Sequence, residues 1–117
     1  MQGRRNERVA ELLRQELGSL LLRRVKDPAL QALTITDVRV VPDLSVARVY
    51  FAAHDDESAA EILGGLERAV PFLRREIGRR LELRRPPELR FSRDTVLEEG
   101  LRIDAILREI SDEEEDS

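Results

Sequence analysis

The chain of 117 residues contains no cysteine and no tryptophan. Disulfide scaffolds, cysteine-ligated zinc and thiol catalysis are therefore excluded. The sole histidine is His54, which excludes a multi-histidine metal centre as well. Aromatic residues are scarce at 3%: Tyr50, Phe51, Phe72 and Phe91. That disfavours the exposed-ring stacking platforms of RRM and OB-fold domains. No segment approaches the roughly 18 consecutive apolar residues of a membrane span. The start Met1-Gln2-Gly3-Arg4-Arg5 is basic, but no uninterrupted apolar core follows it. A secretory signal is not expected, and a cytoplasmic location is. Lysine is nearly absent too, because 20 basic residues include Lys26 and otherwise only arginine. The planar guanidinium suits phosphate and stacks on bases, and a GC-rich coding bias is the alternative reading of that ratio, but codon bias does not set where along the chain the charges fall.

Net charge is −4, which at first sight argues against a nucleic-acid partner. The distribution reverses that impression. The tail Asp112-Glu113-Glu114-Glu115-Asp116 holds five acids, and without them the remainder carries +1. Between Arg68 and Arg93 lie nine arginines against Glu76, Glu82 and Glu88, a local balance of +6. A basic patch on an otherwise acidic protein is the usual footprint of a polyanion partner.

Length and composition fit one domain with one core. Val9, Leu12, Leu13, Leu17, Leu20 and Leu21 recur at helical spacing, which predicts a helix over about Asn6 to Val25 with Asn6 as its cap. Asp27-Pro28 stops it. Leu33 to Val41 and Val46 to Ala52 read as strands. The turn Pro42-Asp43-Leu44-Ser45 joins them into an antiparallel hairpin. Ser58-Ala59-Ala60-Glu61 matches a capping box, so a helix is expected from Ser58 to Leu81. Pro71 should kink or break it near Ala69-Val70-Pro71. Leu89 and Phe91 mark a short third strand, and Thr95-Val96-Leu97-Glu98 opens a last helix running to Ile110. Residues 112–117 are expected to be a disordered acidic tail on a domain of residues 1–111. The expected fold is α+β, with helices on one face of a three-stranded sheet and a crossover between strands two and three.

Several segments in this order resemble bacterial ribosome-binding factor A. They are Arg8-Val9-Ala10-Glu11, Lys26-Asp27-Pro28, Ile35-Thr36-Asp37-Val38, Pro42-Asp43-Leu44-Ser45 and Ala47-Arg48-Val49-Tyr50. Phe72-Leu73-Arg74, Leu83-Arg84, Pro87-Glu88-Leu89-Arg90-Phe91 and Gly100-Leu101-Arg102-Ile103-Asp104 continue the match. The resemblance implies a type II KH-like fold and a monomeric, non-catalytic assembly factor without cofactor or metal. Its implied partners are the small (30S) ribosomal subunit and its precursor, near the decoding region and the 5′ region of the ribosomal RNA. Maturation GTPases are implied partners too, with a role in rRNA processing and cold adaptation. A usual KH domain clamps nucleotides with Gly-x-x-Gly. This chain has no such motif, and the family's helix–kink–helix with Ala-x-Gly falls at Ala69-Val70-Pro71. Proline stands there in place of glycine.

The residues expected to contact RNA are Arg74, Arg75, Arg79, Arg80, Arg84, Arg85, Arg90 and Arg93, with Arg4, Arg5 and Arg8 from the N-terminus. The alternative for the cluster from Arg74 to Arg85 is a solvated helix face with pairs such as Glu76–Arg80, and for Arg4, Arg5 and Arg8 it is a frayed, uninvolved N-terminus. A generic KH-like RNA-binding module without a ribosomal role is the alternative function. A small hydrolase is the third reading. It lacks a nucleophile–base pair, because His54 sits alone in a polar loop beside Asp55-Asp56.

Overall fold

The computed structural model describes residues 2–31 and 33–95. The expected last helix and the acidic tail lie outside them. Helix α1 spans Gln2–Arg23, a 3-10 turn covers Pro28–Leu30, and strands β1 and β2 span Thr34–Val40 and Val46–Ala52. Helix α2 runs Asp56–Arg80 and strand β3 covers Glu88–Arg93. The sheet order is β1-β2-β3. β1 and β2 form the expected antiparallel hairpin, and β3 joins β2 in parallel after the α2 crossover.

Alternation along β2 decides the layering. Ala47, Val49 and Phe51 are buried under the helices, whereas Arg48 is exposed on the opposite face. Leu13, Leu17, Leu20 and Leu21 of α1 complete the core with Ile62, Leu66, Leu73 and Ile77 of α2. These side chains recur at spacings of three and four, so each helix presents one apolar stripe to the sheet. The register of β1 shifts between Ile35 and Asp37. Thr36 is the extra residue there, and its hydroxyl donates to Asp94 Oδ2 at 2.6 Å.

Two helix starts differ from the sequence reading. α1 begins before Asn6, which is not a cap. Its Nδ2 instead donates to the Val40 carbonyl at 2.8 Å and ties α1 to the end of β1. Gln2 to Arg5 contain no proline to stop the helix earlier. α2 begins at Asp56 rather than Ser58, because Asp55 is the cap and its Oδ1 accepts the Ser58 N–H at 2.7 Å. Both Asp55 and Ser58 suit an N-cap, and the earlier residue takes it. α2 is also unbroken across Pro71, which lies on its exposed side.

Two residues turn the chain with positive φ. Leu44, φ 63°, closes the Val41–Leu44 turn of the hairpin, where its N–H donates to Val41 O at 2.9 Å. Glu82, φ 54°, follows the α2 C-cap Leu81. There the Leu83 N–H reaches back to Gly78 O at 2.9 Å and the Glu82 N–H to Arg79 O at 3.4 Å. That bond pair is the Schellman arrangement, normally built on glycine. It reverses the chain sharply and presents Arg84 and Arg85 immediately after the helix end.

Candidate nucleic-acid interface

The structure sorts the arginines of the basic segment into two groups. The first holds the fold together. Arg93 donates to Asp56 Oδ1 at 2.7 Å and to the Ala53 carbonyl at 3.3 Å, which fastens β3 to the start of α2. Arg68 donates to Asp27 Oδ2 at 2.8 Å, and Asp27 also caps the 3-10 turn through the Ala29 N–H. Arg80 donates to Glu16 at 3.0 Å and lies 3.6 Å from Glu76. The i,i+4 pair anticipated from the sequence is therefore present. Arg79 donates to the same Glu76 at 2.7 Å.

Glu76 is the only buried charged side chain among the described residues. Its hydrogen bond from Arg79 holds its pKa below the ordinary glutamate value, with Arg24 and Arg80 adding to the effect and burial opposing it. Arg24, at the end of α1, also stands over the Phe72 ring at 5.7 Å. Beyond the Glu76–Arg80 pair, the part that Arg24 and Phe72 play here was not anticipated from the sequence. Its only signal there is the basic run Arg23-Arg24-x-Lys26. These contacts place residue 16 beside residue 80 and residue 24 beside residues 72 and 76, so α1 and α2 run antiparallel.

The second group faces solvent. Arg75, Arg84 and Arg85 are exposed and have no ion pair or side-chain hydrogen bond among the described residues. Arg74 lies between the groups. It donates to the carbonyls of Pro87 at 3.3 Å and Pro86 at 3.1 Å, which fixes the loop that carries Arg84 and Arg85. Carbonyl partners leave its positive charge unneutralised. Arg90 sits on the open face of the sheet and pairs with Glu88 at 3.2 Å, with 56% of its side chain exposed. An exposed pair of this kind adds little to stability and yields readily to a stronger anion.

Backbone pairing gathers these groups at one end of the molecule. The Glu88 N–H donates to Ser45 O at 2.9 Å, so the loop holding Arg84 and Arg85 ends against the hairpin turn. The Asn6 bond to Val40 brings the start of α1 to that end. Arg5 and Arg8 are exposed on this part of α1, and Arg4 lies in its first turns. The same end is the C-terminus of α2, whose dipole favours the cations of its last turn, Arg79 and Arg80. Of the residues expected from sequence, Arg74, Arg75, Arg84 and Arg85 lie on the last turns of α2 or in the loop that follows it, whereas Arg5 and Arg8 lie on α1 well before Glu16, the residue that meets Arg80, and Arg79 is bound to Glu76. Arg93 is committed to Asp56, and Arg80 is divided between two acids.

His54 is exposed. Among the described residues no group of three or more His, Asp or Glu side chains is placed to hold a metal ion. No described helix is long and apolar enough to cross a membrane.

The family model for ribosome-binding factor A matches residues 5–107. Ribosome-binding factor A of Syntrophus aciditrophicus is 44% identical over 115 residues, covering 97% of this chain and 94% of that protein. The protein of the same name from Azoarcus sp. is 44% identical over 112 residues, 95% of this chain and 89% of its own length. The crystal structure of ribosome-binding factor A from Thermus thermophilus superposes with a TM-score of 0.58 at 31% identity. It covers 80% of this chain and 94% of the crystallised one. The shared fold is KH-like. A chain matched over nearly its whole length by one family model, and at this identity by relatives of one name, belongs to the ribosome-binding factor A family.

Proposed function

We propose that the chain is a non-catalytic assembly factor that binds the free or immature 30S subunit through ribosomal RNA phosphates. It assists rRNA processing and late maturation, contacts the 5′ and decoding regions, and matters most in the cold. It acts in the cytoplasm as a monomer alongside maturation GTPases. Residues 1–111 form the binding domain and residues 112–117 an acidic tail. The family name supports the ribosomal partner. The observation that carries the RNA reading is the cluster of Arg75, Arg84 and Arg85, exposed and without partners among the described residues where α2 ends. Such a factor changes the subunit only by preferring one RNA conformation over another. It requires a shaped cationic surface rather than a nucleophile.

Sucrose-gradient sedimentation of a lysate tests this. The chain should travel with free small subunits and not with polysomes. The double variant Arg84→Gln/Arg85→Gln should move it to the top of the gradient while its melting temperature is unchanged. Sedimentation independent of small subunits would leave only the generic RNA-binding module. Unchanged co-sedimentation of the double variant would remove the α2 end from the interface.

A further inference from the structure

The face of the sheet turned away from the helices carries a second cationic feature. In the register of β1 and β2, Arg39 stands directly opposite Arg48, and in that of β2 and β3, Arg48 stands directly opposite Arg90. All three are exposed. Adjacent strands are about 4.8 Å apart, so three guanidinium groups span a row about 10 Å across. Like charges directly opposite on neighbouring strands destabilise a sheet. Here the arrangement occurs twice, with Arg48 in the middle both times.

The neighbouring acids only partly relieve it. Arg39 donates to Asp37 at 3.0 Å and Arg90 to Glu88 at 3.2 Å, both as exposed pairs. Asp43 is occupied by Ser45, whose N–H and hydroxyl donate to Oδ1 at 3.0 and 2.6 Å. Arg48 has no partner among the described residues. It lines a shallow site with Arg90, Val41, Pro42, Asp43, Ser45 and Val46, and the single acid there, Asp43, is the one turned to Ser45. Tyr50 and Ser92 form the next cross-strand pair on this face, and they add a ring and two hydroxyls beside the row. The row is also continuous with the interface already described. Val46 pairs with Glu88, which follows the loop of Arg84 and Arg85, and Arg48 and Arg90 pair two residues further along.

We propose that Arg39, Arg48 and Arg90 form a second RNA-backbone site, on the open face of the sheet, that takes the phosphodiester chain of a single-stranded segment. Arg48 is its central ligand. The strand passes from the α2 end around the hairpin turn onto the sheet, with Tyr50 placed to stack one base. This rests on the RNA-binding reading above and extends it to a surface on the opposite layer.

The test measures affinity for purified free small subunits and for a mixed-sequence single-stranded RNA 15-mer across a salt series. The proteins are the parent, Arg48→Gln, Arg39→Gln/Arg48→Gln/Arg90→Gln, and Arg84→Gln/Arg85→Gln. Replacing one phosphate-binding arginine should lower the log–log salt slope by about 0.7, and the triple variant should lower it by about 2. Between 50 and 200 mM salt, that is a fall in affinity smaller by about 2.5-fold for each arginine replaced. Melting temperature should stay level or rise in both sheet variants, since like-charge neighbours are removed. Weaker binding by the sheet variants, with or without the same in Arg84→Gln/Arg85→Gln, supports the second site. Weaker binding by Arg84→Gln/Arg85→Gln alone overturns it and leaves the α2 interface standing. Unchanged binding in both sets overturns both. The same series in a chain ending at Ser111 covers the other anionic occupant. If Arg48→Gln acts only while residues 112–117 are present, the row serves the acidic tail and the RNA site is overturned.

Discussion

Pro71→Ala separates what the proline does to the helix from what it does to binding. Pro71 is exposed, and α2 continues on both sides of it. The buried residues Ile62, Leu66, Ala69, Leu73 and Ile77 follow one another at three or four residues across it. The apolar stripe therefore keeps one register before and after the proline, and a helix without it needs no new core. In a helix interior proline is about 3 kcal/mol less favourable than alanine. Its stiffening of the unfolded chain offsets about 0.4–1 kcal/mol of that. The net expectation is a gain of about 2 kcal/mol for Pro71→Ala. It is about 1 kcal/mol for Pro71→Gly, since glycine is about 1 kcal/mol poorer than alanine. At about 4 °C per kcal/mol for a domain of this size, the melting temperature rises by about 8 °C and about 4 °C.

Thermal melts by far-UV circular dichroism give that order, and sedimentation with small subunits gives the other half. Pro71→Gly rebuilds Ala-x-Gly at Ala69 and should keep binding. If a bend at Pro71 aims Arg74, Arg75 and Arg79, Pro71→Ala should bind more weakly while melting higher. A lower melting point for Pro71→Ala would refute the energetic argument and make the ring a packing element. Binding by Pro71→Ala as tight as the parent's would show that the backbone geometry at Pro71 is no part of the RNA site.

Glu82→Gly should raise the melting temperature by about 2–4 °C, because the left-handed position costs an L-residue about 1–2 kcal/mol and glycine's entropy offsets only about 0.5–1 of it. Removing that acid should also tighten RNA binding in a filter assay. The neighbours Gly64 and Gly65 should respond with opposite signs. A Cβ on Gly64 meets only Arg68 Nη1 at 3.4 Å, so Gly64→Ala should stabilise by about 1 kcal/mol through helix propensity. One on Gly65 would stand 3.0 and 3.1 Å from Leu30 Cδ2 and Cγ and 3.3 Å from Asp27 Oδ2. There the overpacking of about 1–3 kcal/mol should exceed the propensity gain, and denaturant melts of both variants read the difference. Acid should destabilise. Hydrogen bonds from Arg68, the Ser58 N–H and Arg79 hold Asp27, Asp55 and Glu76 below their ordinary values of 3.8, 3.8 and 4.5. Depressed carboxylates add stability that is complete above their unfolded values and lost as pH falls through the folded ones. The melting temperature should be flat from pH 8 to about 5.5 and decline below about 4.5, and a decline already under way at pH 7 would count against these three groups.

The sequence was most informative where one local rule acted without a competitor. β2 has the expected bounds because its alternation is regular and a Pro-Asp turn fixes its start. The crossover between β2 and β3 follows from placing a long helix between two strands of one sheet. Boundaries failed where two residues could serve the same purpose, as with Asp55 and Ser58 at the start of α2. Asn6 failed for a different reason. Its side chain found a carbonyl 34 residues away, and no local pattern encodes such a partner. The Thr36 bulge was hidden for the same reason, since it depends on how β1 meets β2 and on Asp94.

The candidate site shows the same division at the level of single charges. A count of nine arginines against three acids measures a segment, not a surface. The acids that neutralise Arg68, Arg80 and Arg93 come in part from Asp27, Glu16 and Asp56, which lie outside the segment. Folding therefore removes several of the cations from the count. It also concentrates the others, because Arg74 draws in the Pro86 and Pro87 carbonyls and the Glu82 reversal sets Arg84 and Arg85 beside the end of α2. The arginines that build the site and those free to touch a ligand are consequently different residues. Mutating the first kind should lower melting temperature and binding together. Mutating the second should lower binding alone. Arg93→Gln and Arg85→Gln, compared in one melt and one gradient, distinguish the two, and equal drops in melting temperature for both would mean that the exposed cluster is structural.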